Sequence, residues 1–200
     1  MLKSAEQGYV PAQARMGETY LPKEHGVIPD YGDAERWLRL AASQGNAEAQ
    51  ERLGTGYELG WFGVTDYREA LRWLRSSVEQ GLPWAQIELG QMYRHGEGVP
   101  ESDSIAASWF RKAADHFTDV GGVWEAVAEL GYMFRDGRLH DWIEAYMWFE
   151  IIGVTFTPPS DTEMKWVARH MTKAQIIEAR RREDWINRHT PQAENPTQVN

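Results

Sequence analysis

Tryptophan recurs in this chain at Trp37, Trp73, Trp109 and Trp148, at spacings of 36, 36 and 39 residues. Each stands three positions after an alanine (Ala34, Ala70, Ala106, Ala145) and just before a large apolar residue (Leu38, Leu74, Phe110, Phe149). A second series, Gly17, Gly54, Gly90 and Gly131, is spaced by 37, 36 and 41. Each of these glycines follows an apolar residue (Met16, Leu53, Leu89, Leu130) and has an aromatic three residues on (Tyr20, Tyr57, Tyr93, Phe134). Two independent series with one period define a repeat. Units of this length are supersecondary pieces that bury their apolar faces only by stacking on one another.

Within a unit the spacings are helical. Leu53, Gly54 and Tyr57 fall on one face, as do Ala70, Trp73, Leu74 and Ser77 with Val78. Small residues on facing positions let two helices approach closely, with the tryptophan filling the space beside them. Asp30, Asp66, Ser102 and Asp141, each four residues before the alanine, are good N-cap residues for the second helix. Glu69 and Glu144 lie three residues beyond Asp66 and Asp141, which predicts capping boxes. Gly45 and Gly81 suit left-handed C-caps. Each unit therefore reads helix, loop, helix, turn.

The segments Ala47-Glu-Ala-Gln-Glu-Arg-Leu-Gly-Thr-Gly-Tyr57, Gly96-Glu-Gly-Val99 and Ala106-Ala-Ser-Trp-Phe-Arg-Lys-Ala-Ala114 resemble Sel1-like repeats, relatives of the tetratricopeptide repeat. The resemblance implies an all-α fold: a right-handed α/α solenoid of helix-loop-helix repeats closed by a C-terminal helical cap. It divides the chain into residues 1–11, the tail of a preceding repeat; 12–153, four repeats; 154–189, capping helices; and 190–200, a disordered tail. Ser4-Ala-Glu-Gln-Gly8 matches Ala41-Ala-Ser-Gln-Gly45, so the chain opens on the end of a fifth repeat and sequence upstream of residue 1 is expected.

The repeats also depart from their own pattern. Repeat 1 has a long proline-containing loop from Leu21 to Tyr31, and repeat 4 has a short one, Gly137-Arg-Leu-His140, without a second glycine. About five extra residues fall within Asp115–Val123, either a longer turn or a binding edge. After Gly153 the repeat stops at Pro158-Pro159. Ser160 with Glu163 and Thr172 with Gln175 offer two capping boxes, opening helices to about Met171 and about Arg188. Ile176, Ile177, Ala179, Trp185 and Ile186 would cover the open end of repeat 4, as the last unit of a solenoid requires.

The remaining chemistry is sparse. Net charge is −9, from 30 acidic and 21 basic residues, which disfavours general nucleic-acid binding. The densest basic run, Arg180-Arg181-Arg182, falls inside a predicted helix and is followed by Glu183 and Asp184. The absence of cysteine excludes disulfides and thiolate-bound metals, and fits the cytoplasm and the periplasm equally. No stretch approaches the roughly 20 apolar residues of a membrane span. His25, His95, His116, His140, His170 and His189 form no metal-binding pair at a known spacing, and neither a phosphate cradle nor a nucleophile motif is present. No metal, cofactor or catalytic residue is expected. Some cysteine-rich relatives act on β-lactams, but this chain lacks their disulfide framework.

The expected function is thus a non-catalytic adaptor that binds another protein of unstated identity. Two readings of other kinds stay open: an immunity or inhibitor protein that neutralises a toxin, and an enzyme of the cell wall or of β-lactams. By analogy with tetratricopeptide arrays, the first helices line a concave groove. Residues two before the leucine, and two and five after it, are predicted to face that groove. These are Ala14, Glu18 and Leu21; Glu51, Thr55 and Glu58; Ile87, Gln91 and Arg94, with Trp84 and His95 alongside; and Ala128, Tyr132 and Arg135. Such a groove is acidic in its N-terminal half, then apolar with two arginines, and suits an extended segment carrying a basic and an apolar patch. The periodic tryptophans are expected in the core. Trp84 and Trp61-Phe62 fit the groove or the core equally.

Overall fold

The close approach demanded by the two series sets the architecture. The computed structural model describes residues 1–22, 29–116, 124–155 and 160–189, without the side chains of 152–155, 160–161 and 183–189. The chain divides into two compact units, Met1–Pro100 and Glu101–Asn200. The first holds α1 (Leu2–Glu6), α2 (Val10–Thr19), α3 (Tyr31–Ser43), α4 (Ala47–Glu58), α5 (Tyr67–Glu79) and α6 (Pro83–His95). The second holds α7 (Asp103–Ala114), α8 (Trp124–Asp136), α9 (Trp142–Thr155), α10 (Ser160–Ala168) and α11 (Lys173–His189). No strand occurs among the described residues.

In repeats 1, 2 and 4 a glycine of the first helix meets the residue after the tryptophan of the second. A Cβ on Gly54 would lie 2.5 Å from Leu74, one on Gly17 2.5 Å from Leu38, and one on Gly131 2.7 Å from Phe149. Those separations are far below van der Waals contact, so any side chain at the glycine forces α2 from α3, α4 from α5 and α8 from α9. Leu38, Leu74 and Phe149 are fully buried in return, each burial contributing roughly 1.5–3 kcal/mol. Trp37, Trp73 and Trp148 are core, as their periodicity requires. Trp109 is not: it is half-buried, and the Lys112 ammonium lies 4.0 Å from its ring centroid, the kind of cation that covers an open aromatic face.

The four second-helix caps form as the sequence predicts. Asp30 accepts from the Asp33 N–H, Asp66 from Arg68 and Glu69, Ser102 from Ile105, and Asp141 from Ile143 and Glu144. The reciprocal half of the predicted capping boxes is missing at Asp66 and Asp141. Their own N–H groups donate to the carbonyls of Tyr57 and Phe134, both at 2.9 Å. Glu69 is thereby released to pair with Arg72 at 2.8 Å, and Glu144 accepts from the Trp148 indole at 3.1 Å. Gly45 and Gly81 take φ values of +88° and +81°, as left-handed turns need.

A feature not anticipated from the apolar pattern is a buried ladder of glutamines in the first unit. Gln13 donates to the Ala5 carbonyl at 3.1 Å and accepts from Gln44 at 2.7 Å. One repeat later, Gln50 donates to the Ala42 carbonyl at 3.2 Å and accepts from Gln80 at 2.8 Å. Buried amides are tolerated because both their ends are satisfied, and they hold adjacent repeats in register.

In the second unit α9 carries Ala145, Tyr146, Met147, Trp148 and Phe149 in an unbroken buried run. A helix apolar all round needs cover on all sides, and α8, α10 and α11 each pack on it. The Thr172–Gln175 box forms in both directions: the Thr172 N–H reaches Gln175 Oε1 at 2.8 Å, and Gln175 N–H reaches Thr172 Oγ1 at 3.3 Å. Ala179 is buried, but Ile177, expected in the cover, is 55% exposed. The arginine run supplies part of the attachment, with Arg180 on Glu150 at 3.3 Å and Arg182 on Glu144 at 3.2 Å. The Ser160, Trp185 and Ile186 side chains lie outside the described residues, as do Pro158-Pro159, the tail from Thr190, most of the Asp115–Val123 insertion and His25 in the repeat 1 loop.

Candidate functional site

On the first helices, α2 touches α4 and α4 touches α6, and this contact decides which side chains remain open. Glu51, Thr55 and Ile87, predicted to face a partner, are buried at 4%, 9% and 2% exposure, and Ala14 and Leu21 are buried too. The open stripe runs at five and one residues before the leucine and two and six after it. On α2 it is Pro11, Arg15 and Glu18, with Pro22 beyond the helix end; on α4 it is Glu48 and Arg52, with Thr55 buried after them and Leu59 just past the helix end; on α6 it is Trp84, Glu88, Gln91 and His95. The predicted phase is displaced by one residue, about a quarter of a helical turn. Trp84, Gln91 and His95 lie on the open stripe all the same, Trp84 half-buried and His95 exposed. Arg94 is half-buried beside it. Arg15, Glu48 and Arg52 were missed, although a polar residue at i and i+4 on α4 (Glu48, Arg52) was a legible sign of an exposed edge.

Two clefts follow this stripe between α2 and α4. A cavity of about 550 Å³ is lined by Tyr9, Pro11, Arg15, Glu18, Asn46 and Glu48, among others. A second, of about 310 Å³, is lined by Glu18, Leu21, Pro22, Arg52 and Trp61. Glu18 belongs to both. Trp61 is half-buried and stacks on Tyr31, ring centroids 6.1 Å apart. Arg52 lies 3.9 Å from Glu18 and 3.5 Å from Glu51. Burial pushes the Glu51 carboxyl above the ordinary range; Glu18 and Glu48 push it further, against Arg52 and the Thr55 hydroxyl.

Glu58 stands at the C-terminal end of α4. One of its oxygens is buried without a hydrogen-bond partner. Burial, then the charges of Glu88 and Glu97, raise its pKa to about 8. In the second unit Tyr132 is exposed, whereas Arg135, predicted for the groove, is occupied within the fold. Its guanidinium pairs with Asp136 and Glu163 and lies 4.9 Å from the Tyr132 ring and 5.4 Å from Trp166. Ala128 is half-buried. Among the described residues no cluster of three or more His, Asp or Glu side chains is placed to hold a metal ion. No described helix is long and apolar enough to cross a membrane.

The Sel1 repeat family model matches residues 10–46, 47–82, 85–116 and 124–151, more than half of the chain. The chain belongs to the Sel1 repeat family. Among solved structures it is similar to a protective antigen of uropathogenic Escherichia coli strains that displays an SLR fold, with TM-score 0.77 and 26% identity over 94% of this chain and 40% of that one. It is also similar to a Sel1 repeat protein of Oxalobacter formigenes, with TM-score 0.63 and 31% identity over 85% of this chain and 48% of that one. The chain thus spans less than half the length of these two relatives. No curated protein matches it. Proteins of this family generally mediate protein–protein interactions, and the fold is typically a non-catalytic scaffold.

Proposed function

We propose that this Sel1 repeat protein is a non-catalytic adaptor that holds a segment of another protein along the open stripe of its first helices. The observation that carries this reading is the pair of clefts between α2 and α4, joined at Glu18 and lined by helix-borne side chains of both charges. A surface on rigid helices, with an aromatic at one end and arginines along it, has the composition of interface anchors. The bound species is taken to be a protein segment because the clefts together are long and open rather than a single enclosed pocket.

Photo-crosslinking in the source organism tests this. A photoreactive residue at Glu48 or Gln91 is expected to capture one defined partner, and the same residue at Arg75 on α5 is expected not to. Capture from Arg75 as efficient as from Glu48 would refute a first-helix site. Substituting Trp84 and Arg94 together is expected to abolish that capture while the helical circular dichroism signal is retained.

A further inference from the structure

We infer that the C-terminal cap opens in one of its two helices: α11 is a salt-sensitive strap over α9 that pivots away between Met171 and Thr172 while α10 stays docked. The two helices are held to α9 by different forces. Val167 of α10 is fully buried. Trp166 of α10 and His170 just beyond it close on Trp142 at the start of α9, with ring centroids 5.7 and 4.9 Å away. Apolar burial and ring contacts of this kind are not screened by salt.

The turns of α11 from Lys173 to Arg182 are attached otherwise. Only Ala179 among them is buried, while Ile176 is half-buried and Ile177 exposed, so little apolar surface is covered there. Polar links take its place. Arg180 Nε donates to Glu150 Oε1 at 3.3 Å and its Nη2 to the Tyr146 hydroxyl at 3.4 Å, and Arg182 Nη1 donates to Glu144 Oε1 at 3.2 Å. Both arginines are open to solvent, whereas Glu144 and Glu150 are mostly covered. Ion pairs with one exposed partner are weak at ordinary ionic strength and weaker as it rises.

Neither glutamate is stranded when α11 lifts. Glu150 Oε2 is buried with no hydrogen-bond partner among the described residues, and an unsatisfied buried acceptor is costly to keep; opening admits water to it. Glu144 retains Arg111 of α7 at 3.3 Å and the Trp148 indole at 3.1 Å. The backbone also marks the pivot. The Met171 N–H is tied back to the Ala168 carbonyl, whereas Thr172 is tied forward to Gln175 by the capping box. Opening uncovers the face of α9 that carries Tyr146 and Glu150.

Amide hydrogen exchange of the full chain, followed by mass spectrometry at about 20 mM and about 1 M NaCl, tests the strap, since the Debye length falls to roughly 3 Å at the higher salt. A helix of 17 residues freed from its support is close to the limit of stability in water, so release appears as exchange. Exchange of the Lys173–His189 amides is expected to rise at least about tenfold at high salt, while α10, α3 and α5 change less than about twofold. Arg180→Gln with Arg182→Gln is expected to show the fast exchange already at low salt. Arg180→Lys with Arg182→Lys keeps both charges and is expected to stay within about threefold of the unaltered chain. Unchanged α11 exchange at high salt, an equal rise in α10 and α11, a folded glutamine variant with α11 still protected, or a lysine variant as fast as the glutamine one would each overturn the inference. If the glutamine variant loses α3 and α5 as well, it has unfolded, and the salt series on the unaltered chain decides.

Discussion

Glu58 and Arg135 occupy the same place in two repeats, five residues beyond the leucine of the first helix, and their surroundings are opposite. Glu58 faces Glu88 and Glu97 with one buried oxygen unpaired. Arg135 is clasped by Asp136 and Glu163 and by the rings of Tyr132, Phe149 and Trp166. The backbone positions are equivalent; the neighbours are not. In the second unit the capping helix α10 supplies Glu163 and Trp166, so a charged residue at the repeat's last helical turn becomes structural. In the first unit Glu58 meets burial and the carboxylates of Glu88 and Glu97 instead, which hold its proton to about pH 8. One repeat position therefore carries an ion-paired guanidinium in one repeat and a carboxyl kept neutral in another.

Removing the ring beneath Arg135 has the largest expected effect. Phe149→Ala leaves a hole against Gly131 and takes away an aromatic partner of the guanidinium, costing about 3–5 kcal/mol in chemical denaturation. Because the ring and the guanidinium lie 5.9 Å apart, Phe149→Ala and Arg135→Ala together are expected to cost less than the sum of the two. Simple additivity would show that Arg135 does not depend on the ring. Arg135→Ala alone is expected to cost about 2–3 kcal/mol, since it leaves Glu163 without its cation and uncovers Trp166. Arg135→Lys is expected to recover only part of this, for a lysine lacks the fork that spans two carboxylates.

Glu58→Gln has the opposite sign. The folded chain holds the Glu58 proton up to about pH 8, whereas an unfolded glutamate releases it near 4.3. Stability from this site is therefore complete below about pH 4.3 and is lost as pH rises toward 8. The glutamine variant is expected to melt higher than the wild type at pH 8 and to match it near pH 4.5, a gain limited by solvent screening to on the order of 1 kcal/mol. Equal melting differences at both pH values would mean that Glu58 is already ionised without strain. The smallest expected contrast is at the caps. Asp66→Ala and Asp141→Ala should each cost about 1 kcal/mol, and the two losses should be equal within error, because both aspartates accept from the N–H groups two and three residues on.

The periodic residues made the fold legible. Glycine, alanine and tryptophan at fixed helical offsets permit one local solution, two helices in close contact, and the contacts of Gly17, Gly54 and Gly131 are that solution. The second-helix caps were legible for the same reason, being local hydrogen bonds. Half of each capping box at Asp66 and Asp141 was not, because a distant carbonyl, of Tyr57 or Phe134, reached the cap N–H first. The glutamine ladder was hidden because a buried amide looks like a surface residue until its partner, some 30 residues away, is in place.

The candidate site shows the same division. Its residue types and the choice of first helices follow from the repeat, which any stacked unit must obey. Which side of those helices stays open depends on how closely α2, α4 and α6 pack, and that moved the stripe by one residue, burying Glu51, Thr55 and Ile87 and opening Arg15, Glu48 and Arg52. The sequence alone determined the local geometry of the repeat, because helix offsets and caps act over a few residues. Only the tertiary structure decided which charges are neutralised and which are left facing solvent, because electrostatic partners such as Glu163 for Arg135, or Glu97 for Glu58, arrive from other turns and helices.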